Sequence, residues 1–277
     1  MKTLRECIAE AEVKKVAIGH FNISDSEGFK AVVEGARELG VPVIIGVSEG
    51  EREFIGLQEI VALVKIAQGN GFPVFINADH TYSIEKTKEA IDAGVDSVII
   101  DLADKSFEEN VSLTREIVQY ANGRVLVEGE LGFIGKSSKV LSEVPDGITQ
   151  TTPEDAKKFV EDSGVDLFAP AVGNVHGIVK TGEPKLNIEL IKAIAQSVLV
   201  PLVLHGASGN TDEEILQAIN AGIRIVHINT ELRLAYKEGL KDAVESGEVA
   251  PYKFMEAAVE DMRRVVVKKL KVFNKLG

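Results

Sequence analysis

The stretch AIDAGVDSVIID, residues 90–101, runs from the end of a helical pattern through a glycine turn into a short apolar strand pattern. The same order of helix, glycine and strand recurs as FVEDSGVDLFAP at 159–170 and as AINAGIRIVHIN at 218–229. Glycine commonly follows the last residue of a helix because its backbone adopts the left-handed conformation without strain. This weak internal repeat predicts a chain of alternating helices and strands.

Short apolar runs are spread along the whole chain, and they are too apolar for strands with one face in water. Runs rich in Val and Ile are typical of parallel strands that are buried on both faces. Between them lie helical patterns, several of which open with Ser, Thr, Asp or Asn and end at Gly. The runs are VAIGHFN (16–22), VPVIIGVS (41–48), PVFINADH (73–80), SVIIDL (97–102), RVLVEGE (124–130), DLFAPAVG (166–173), PLVLHG (201–206) and IRIVHINT (223–230).

These eight strands, separated by helices without a linker, predict one α/β domain over residues 1–277 with a (β/α)8 TIM barrel fold. A doubly wound open sheet is the main alternative, but no G-x-G-x-x-G follows the first strand. Residues 251–277 predict an extra C-terminal helix that begins at Pro251. Residues 131–152 are rich in glycine with little helical pattern, which predicts a mobile loop that acts as a lid.

The composition excludes several classes of protein. The net charge of −12 argues against nucleic acid as a partner, because nucleic-acid binding depends on clustered Lys and Arg. No apolar stretch approaches the roughly 20 residues that cross a bilayer, and the charged residues 1–15 do not resemble a signal peptide. Cys7 is the only cysteine, which suits a reducing compartment. We therefore expect a cytoplasmic protein that binds neither nucleic acid nor membrane.

The histidines fall at or near strand ends. In a (β/α)8 barrel the carboxyl ends of the strands surround the mouth where active sites lie. His80, His176 and His205 follow the third, sixth and seventh predicted strands. Three neutral imidazoles at one mouth predict a zinc site with one open coordination position, and three unrelated core histidines are the alternative. The other two are His20 and His227.

Carboxylates collect at the same predicted mouth. Asp79, Asp101, Glu128 and Glu130 lie at the ends of three strands. Buried carboxylates require cations or hydrogen-bond donors, so these groups are candidates for proton transfer, for a second cation site or for orienting the histidines.

Small polar residues and glycines then predict a phosphate site. Loops after the seventh and eighth strands of such barrels, next to helix N-termini, commonly bind phosphate. Lys180 adds a positive charge and is better used on phosphate than as a Schiff-base lysine. The predicted chemistry is therefore metal-assisted and acts on a phosphorylated small molecule that carries a carbonyl. The residues involved are Gly177, Lys180, Gly206, Ser208, Gly209 and Thr230.

Along nearly its whole length the chain resembles the class II, zinc-dependent ketose-bisphosphate aldolases, chiefly those acting on fructose 1,6-bisphosphate. The motifs that carry the resemblance are AIGHFN, INADH, DSVIIDLADKSFEEN, VEGELGFIG, GVDLFAPAVGNVHG, LVLHGASG and INTE.

The resemblance implies a role for each matching residue. It implies zinc on His80, His176 and His205, with Asp79 as the acid–base that exchanges a proton with the hydroxyl of the aldehyde half. Asp101 and Glu130 match the ligands of a second, displaced cation, divalent or monovalent. The positions that match the cradle for the phosphate of dihydroxyacetone phosphate are Gly177, Lys180, Gly206, Ser208, Asn229 and Thr230, and those that match the substrate channel are Asn22 and Ser48.

The implied activity is reversible cleavage of fructose 1,6-bisphosphate to dihydroxyacetone phosphate and glyceraldehyde 3-phosphate. Tagatose 1,6-bisphosphate or another ketose phosphate is the close alternative. A metal-dependent hydrolase and a sugar-phosphate sensor are the other classes considered, and the single His20 of GHFN disfavours the hydrolase. The resemblance also implies a homodimer or homotetramer, and the second phosphate is expected to meet Arg263 or Arg264 of a partner subunit.

The chain departs from the family pattern at two places. After ELG the family carries a loop glutamate that takes the proton from dihydroxyacetone phosphate, whereas this chain has Ser137 and Ser138, with Glu143 the nearest replacement. In the eighth strand His227 stands where the family has an asparagine that contacts substrate. We expect His227 to donate a hydrogen bond near the ketone end, and a buried imidazole without that role is the alternative. A fourth zinc ligand would close the open coordination position.

Overall fold

A computed structural model describes residues 2–135, 139–144, 146–180 and 185–277. Its strands are β1 (Ile18–Asn22), β2 (Val43–Val47), β3 (Val74–Thr81), β4 (Ser97–Ile100), β5 (Leu126–Leu131), β6 (Val140–Leu141), β7 (Leu167–Pro170), β8 (Ile178–Val179), β9 (Leu202–Leu204) and β10 (Ile223–Ile228). Eight of these close into a parallel barrel in the order β1–β10–β9–β7–β5–β4–β3–β2. The (β/α)8 barrel predicted from the sequence is confirmed, and each predicted run overlaps one barrel strand, with β3 and β5 each ending one residue beyond their runs.

Helices surround the barrel and begin and end where the sequence places caps. The glycines of the repeated pattern end two of the helices in the left-handed conformation, Gly94 with φ of 90° and Gly164 with φ of 75°. The helices are α1 (Leu4–Lys14), α2 (Ser26–Leu39), α3 (Glu49–Ile55), α4 (Leu57–Gly69), α5 (Ile84–Ala93), α6 (Phe107–Ala121), α7 (Pro153–Ser163), α8 (Ile188–Ser197), α9 (Asp212–Ala221), α10 (Thr230–Glu245) and α11 (Pro251–Asn274).

Alternate residues of each strand point into the barrel, so the interior is built in layers. Near the N-terminal strand ends the inward side chains are apolar and pack against α1, which closes that end of the barrel. On several strands the inward residues two positions further along are polar, for example His20 after Ile18 and Glu128 after Leu126. The cluster that closes the N-terminal end comprises Leu4, Cys7, Ile8, Ala11, Ile18, Ile44, Phe75, Leu126, Leu167, Ala169, Val203 and Ile225.

Two features lie outside the simple repeat. The predicted C-terminal helix is present as α11, which packs against α10 and α2 on the outside of the barrel. The long segment 131–152 contains β6, which pairs with β8 in a two-stranded sheet that the sequence did not predict. Among the helices of the described residues, none combines the length and apolar character required to cross a membrane.

Candidate active site

The polar layers of the barrel converge at the carboxyl ends of the strands. His80 lies on β3, His205 directly follows β9, and His176 lies in the loop after β7. That loop is fixed by Asn174, which donates from Nδ2 to the His205 carbonyl at 2.9 Å, and the backbone N–H of His176 donates to the Ile134 carbonyl at 2.9 Å. Three separate strands therefore bring these imidazoles to one mouth, as predicted.

Carboxylates bind one nitrogen of two of these histidines and leave the other nitrogen facing the centre. His80 Nδ1 contacts Asp101 Oδ2 at 2.9 Å, and His205 Nε2 contacts Glu128 Oε1 at 2.7 Å. The remaining nitrogens, His80 Nε2 and His205 Nδ1, are 3.2 Å apart. Two nitrogens bound to one tetrahedral zinc at about 2.1 Å would be about 3.4 Å apart, so this spacing fits shared coordination.

Two further buried atoms at the same centre have no hydrogen-bond partner, His176 Nε2 and Glu130 Oε2. Unpaired buried polar atoms are costly unless a cation or an ordered water binds them. Within the described part of the chain, His80, Glu130, His176 and His205 place one potential ligand atom each within 4.8 Å of the others. The donor set therefore fits the zinc ion that the sequence predicted.

The carboxylates around His80 favour positive charge at this centre. Burial acts to lower the pKa of His80, but Asp79, Asp101 and Glu130 outweigh burial and raise that pKa to about 10. Burial and the neighbouring charge of Asp101 raise the pKa of Glu130 to about 8. A bound cation would stabilise these acidic groups in their ionised form.

A bulge in β3 aims His80 at the centre. The pairing of β3 with β4 shifts register between Ala78 and Thr81, and His80 has φ of 37°, in the left-handed region. The buried Arg52 of α3 holds the chain on both sides of His80, since it donates to the Asp79 carbonyl at 3.1 Å and to Thr81 Oγ1 at 3.0 Å. The strained backbone of a site residue is thus stabilised by hydrogen bonds from the neighbouring helix.

The described carboxylates divide into two roles. Glu128 and Asp101 each accept from a histidine ring, which is how carboxylates commonly orient metal-binding imidazoles. Glu130 belongs to the group of possible ligands, whereas Asp101 does not. Of the two residues predicted for a second cation, the structure therefore places only Glu130 among the possible ligands.

Asp79 is buried at the end of β3 and faces the same cavity. Its Oδ2 accepts from Asn22 Nδ2 at 2.8 Å, while its buried Oδ1 has no hydrogen-bond partner. Burial favours the neutral carboxyl, but the nearby His80, His20 and His205 outweigh it and hold the pKa of Asp79 below its ordinary value. The surroundings of Asp79 therefore favour its ionised form, and its Oδ1 has no hydrogen-bond partner within the protein.

His227 pairs in register with His20 on the neighbouring strand, and the two rings stack with their centroids 3.5 Å apart. His227 Nδ1 lies 3.6 Å from Asp79 Oδ1, and the ring lines the cavity that contains the three histidines. Burial and the neighbouring His20 and His205 hold the pKa of His227 well below its ordinary value, so the ring is neutral. The structure thus places His227 beside the predicted zinc site and outside the group that shares His80 and His176.

The phosphate residues predicted from sequence line the same cavity, with two exceptions. Ser208 Oγ accepts from the backbone N–H groups of Asn229 and Glu231, at the N-terminus of α10, where the helix dipole favours an anion. A side chain on Gly206 would meet the Val175 carbonyl at 2.5 Å, so this close approach of two loops requires glycine. The predicted residues that line the cavity are Asn22, Gly177, Gly206, Ser208, Asn229 and Thr230.

The exceptions are Lys180 and Gly209. Lys180 follows β8, its backbone N–H donates to the Leu141 carbonyl at 2.9 Å, and it is exposed. The backbone N–H of Gly209 donates to Glu231 Oε1 at 3.0 Å. Ser137 and Ser138 lie outside the described residues. Glu143 is exposed just after β6.

An outer cavity of about 150 Å³ continues from the histidines toward solvent. The predicted channel residue Ser48 lines it, together with two residues that the sequence analysis missed, Tyr82 and Arg233. Arg233 lies four residues after Asn229 on α10, so the helical spacing of INTELR carried the signal. Arg233 is about half-exposed and donates to Glu51 Oε1 at 2.7 Å.

The arginines expected to reach a second phosphate from a partner lie on α11. Arg263 pairs with Glu38 and Glu260, and Arg264 pairs with Glu260 and Asp261 of the same chain. Among the described residues that line the outer cavity, Arg233 is the one lysine or arginine.

The cavities with the greatest volumes described here lie away from the histidines. Cavities of about 400 Å³ and 410 Å³ lie at the opposite end of the barrel, beside α1. The histidines, the carboxylates and the helix N-terminus converge at the smaller cavities. The fold and this site are typical of a metal-dependent (β/α)8 enzyme, with a helix N-terminus that favours an anion beside the possible metal ligands.

Known proteins that are similar to this chain specify the class of enzyme. The family described as fructose-bisphosphate aldolase class-II matches residues 2–277. A fructose-bisphosphate aldolase of Staphylococcus aureus (strain Mu50) is 38% identical over 279 residues, covering 98% of this chain and 96% of the relative. One of Geobacillus stearothermophilus is 36% identical, covering 99% and 97%.

A solved structure gives the same result. The crystal structure of the YdjI aldolase from Escherichia coli K12 has a TM-score of 0.85 at 33% identity, covering 98% of this chain and 96% of that one. The chain belongs to the class II fructose-bisphosphate aldolase family, whose members are zinc-dependent lyases.

Proposed function

We propose that this protein is a zinc-dependent aldolase that reversibly cleaves fructose 1,6-bisphosphate to dihydroxyacetone phosphate and glyceraldehyde 3-phosphate. The observation that carries the proposal is the convergence of three imidazole nitrogens on one point beside an anion site. The proposed zinc ligands are His80 Nε2, His205 Nδ1 and His176 Nε2. Zinc, when bound, supplies a Lewis acid that stabilises the negative charge developing on the ketone oxygen.

The carboxylates support these ligands. Asp101 and Glu128 fix the ring orientation of His80 and His205, so that each ring turns its other nitrogen to the centre. Glu130, with a buried unpaired oxygen, is the proposed ligand of a second cation position or of a displaced zinc ion.

Asp79 is the proposed acid–base. During cleavage its ionised carboxylate accepts the proton of the hydroxyl on the aldehyde half as the carbon–carbon bond breaks. The electron pair of that bond passes to the enediolate of dihydroxyacetone phosphate, which takes up a proton at carbon from solvent, and condensation reverses both proton transfers. Its free Oδ1 and the hydrogen bond from Asn22 to Oδ2 suit this task, because one oxygen is held while the other faces the cavity.

The phosphate of dihydroxyacetone phosphate is proposed to bind at the N-terminus of α10. Ser208, Thr230 and the backbone around Gly177 and Gly206 line this position, where N–H groups and the helix dipole favour an anion. Lys180, exposed at the rim, remains a candidate second contact.

The opposite end of the substrate is proposed to meet Arg233 in the outer cavity. A guanidinium binds phosphate through two parallel hydrogen bonds, which suits the phosphate of the aldehyde half. His227 lines the inner cavity beside Asp79 and is proposed to donate a hydrogen bond to the ketone end.

The test is cleavage of fructose 1,6-bisphosphate by purified, zinc-loaded protein, with tagatose 1,6-bisphosphate assayed in parallel. We expect cleavage that a chelator abolishes and that added zinc restores. Faster cleavage of the tagatose isomer would reassign the substrate within the family. No cleavage of any ketose bisphosphate would overturn the proposal.

We also propose a cytoplasmic location and a homodimer or homotetramer. The first rests on Cys7, the only cysteine of the sequence, which is buried and free. The second rests on the family and is tested by the mass of the protein in solution.

A further inference from the structure

Glu51 is a buried carboxylate beside the site that none of the roles above uses. It lies on α3 and is 7% exposed. We propose that Glu51 is a positioning residue that links the outer cation, Arg233, to the acid–base Asp79, and so makes turnover depend on the anionic group of the aldehyde half. This inference rests on the proposed function and deepens it.

The two oxygens of Glu51 bind two different parts of the site. Oε2 accepts from Asn22 Nδ2 at 3.0 Å and from the backbone N–H and the hydroxyl of Ser48, each at 2.8 Å. Oε1 accepts from Arg233 Nη2 at 2.7 Å. One carboxylate therefore holds residues that belong to the ends of β1 and β2 and to α10.

Asn22 extends this connection to the reacting centre. Its Nδ2 donates to Glu51 Oε2 and, at 2.8 Å, to Asp79 Oδ2. An amide nitrogen carries two hydrogens, so these two carboxylates use both and fix which way the amide points. The path from Arg233 through Glu51 and Asn22 to Asp79 consists of charge-assisted hydrogen bonds among buried or half-buried groups, which are stronger than neutral ones.

The arrangement has a consequence for specificity. The ion pair with Glu51 orients the Arg233 guanidinium at the outer cavity. This orientation lowers the entropy lost when an anionic group binds. When an anionic group binds Arg233, it competes with Glu51 for the positive charge of the guanidinium. Glu51 also accepts a hydrogen bond from Asn22, so the change reaches Asn22 as well. A phosphorylated aldehyde therefore reaches Arg233 and affects Asp79 through Glu51 and Asn22, whereas an uncharged aldehyde does not bind Arg233.

The competing explanation is that Glu51 merely caps α3, because it is the third helical residue after Ser48. Glu51→Gln separates the two explanations. A glutamine has one accepting oxygen and one donating nitrogen, so it serves either Arg233 or the Asn22–Ser48 side but not both. The helix keeps an uncharged side chain of the same shape.

The experiment compares Glu51→Gln and Glu51→Ala with the wild type in three assays on zinc-loaded protein. The first is condensation of dihydroxyacetone phosphate with glyceraldehyde 3-phosphate, and the second is the same reaction with unphosphorylated glyceraldehyde. The third is hydrogen exchange of dihydroxyacetone phosphate without aldehyde, in which the proton transfer proposed for Asp79 and the phosphate contact proposed for Arg233 take no part. The matched control is Glu53→Gln, on the same helix but 69% exposed and paired with Lys86.

We expect Glu51→Gln to lower kcat/KM for glyceraldehyde 3-phosphate about 10- to 100-fold, as expected for the loss of a charged hydrogen bond. The preference for the phosphorylated aldehyde should fall with it, while the exchange rate and the zinc content stay within about twofold. Glu53→Gln should behave as wild type.

An unchanged preference in Glu51→Gln would overturn the inference, as would a parallel loss of exchange and of both condensations, because a helix cap alone predicts that pattern. A wild type without exchange or cleavage would instead contradict the proposed function. The two failures are thus distinguishable. If Glu51→Ala does not fold, Glu51→Gln decides the question alone.

Discussion

The two ends of the barrel are built from the same strands yet differ completely in chemistry. At the N-terminal end Ile18, Phe75 and Leu126 point inward and pack against α1 in an apolar cluster. Two residues further along, the same strands point His20, Asn77 and Glu128 inward. Each residue advances a strand by about 3.3 Å, so the apolar layer and the polar layer lie about 7 Å apart along the strands.

A substitution in the apolar layer should therefore affect folding, and a substitution in the polar layer should affect chemistry. Apolar side chains that lose contacts destabilise the domain. Two polar groups at the mouth, His176 Nε2 and Asp79 Oδ1, find no hydrogen-bond partner within the protein. Such groups contribute to function at some cost in stability.

The largest effect is expected for His176→Ala. The substitution removes one of three proposed zinc ligands, so the protein should lose stoichiometric zinc and with it the cleavage activity. Metal content after dialysis and the cleavage assay measure this, and thermal unfolding of the zinc-free form should match that of zinc-free wild type. Retention of a full zinc equivalent would show that the ligand assignment is wrong.

A smaller loss of activity is expected for Asp79→Ala. The variant should keep its zinc and turn over about 10²- to 10⁴-fold more slowly, because it removes proton transfer but not the Lewis acid. Zinc content and kcat for cleavage measure the effect. Loss of zinc in this variant would mean that Asp79 supports the metal and is not the acid–base.

Phe75→Ala tests the opposite end of the barrel. Phe75 is 1% exposed, so its truncation should lower the free energy of unfolding by about 3–5 kcal/mol. Denaturant unfolding measures the loss, and at low temperature the folded variant should still bind zinc and cleave substrate. A selective loss of zinc affinity without loss of stability would contradict the division between the two ends.

The smallest effect is expected for Arg233→Ala. The outer cavity would lose its cation, so KM for glyceraldehyde 3-phosphate should rise about 10- to 100-fold, and the exchange of dihydroxyacetone phosphate should stay unchanged. Steady-state kinetics measure this, with Arg264→Ala on α11 as the matched control. A larger effect in the control would favour the arginines of α11 as the phosphate contact.

Much of this account could be predicted from the sequence. Eight apolar runs with capped helices between them specify the barrel, and the position of His80, His176 and His205 after separate strands specifies their convergence. The role of Asp101 was harder to predict. Its carboxylate meets His80 Nδ1 in a region where β3 contains a bulge. Bulges depend on tertiary contacts that leave little trace in a single sequence.

The outer half of the site was less predictable. Glu51 reads as an ordinary helix cap, and its contacts to Asn22 and Arg233 join residues that are 29 and 182 positions away along the chain. The strands β6 and β8 have two residues each, too short for any periodic pattern. Local patterns thus predicted the scaffold and the metal ligands, and long-range pairing decided the rest.

Hydrogen exchange of dihydroxyacetone phosphate in D₂O without an aldehyde tests whether the three histidines hold a catalytic zinc ion. A class II aldolase assembled as described should replace one C–H hydrogen with deuterium when zinc is present. The exchange should stop when a chelator removes the metal and should be absent in His176→Ala. Zinc-loaded wild-type protein that exchanges no hydrogen would contradict the account.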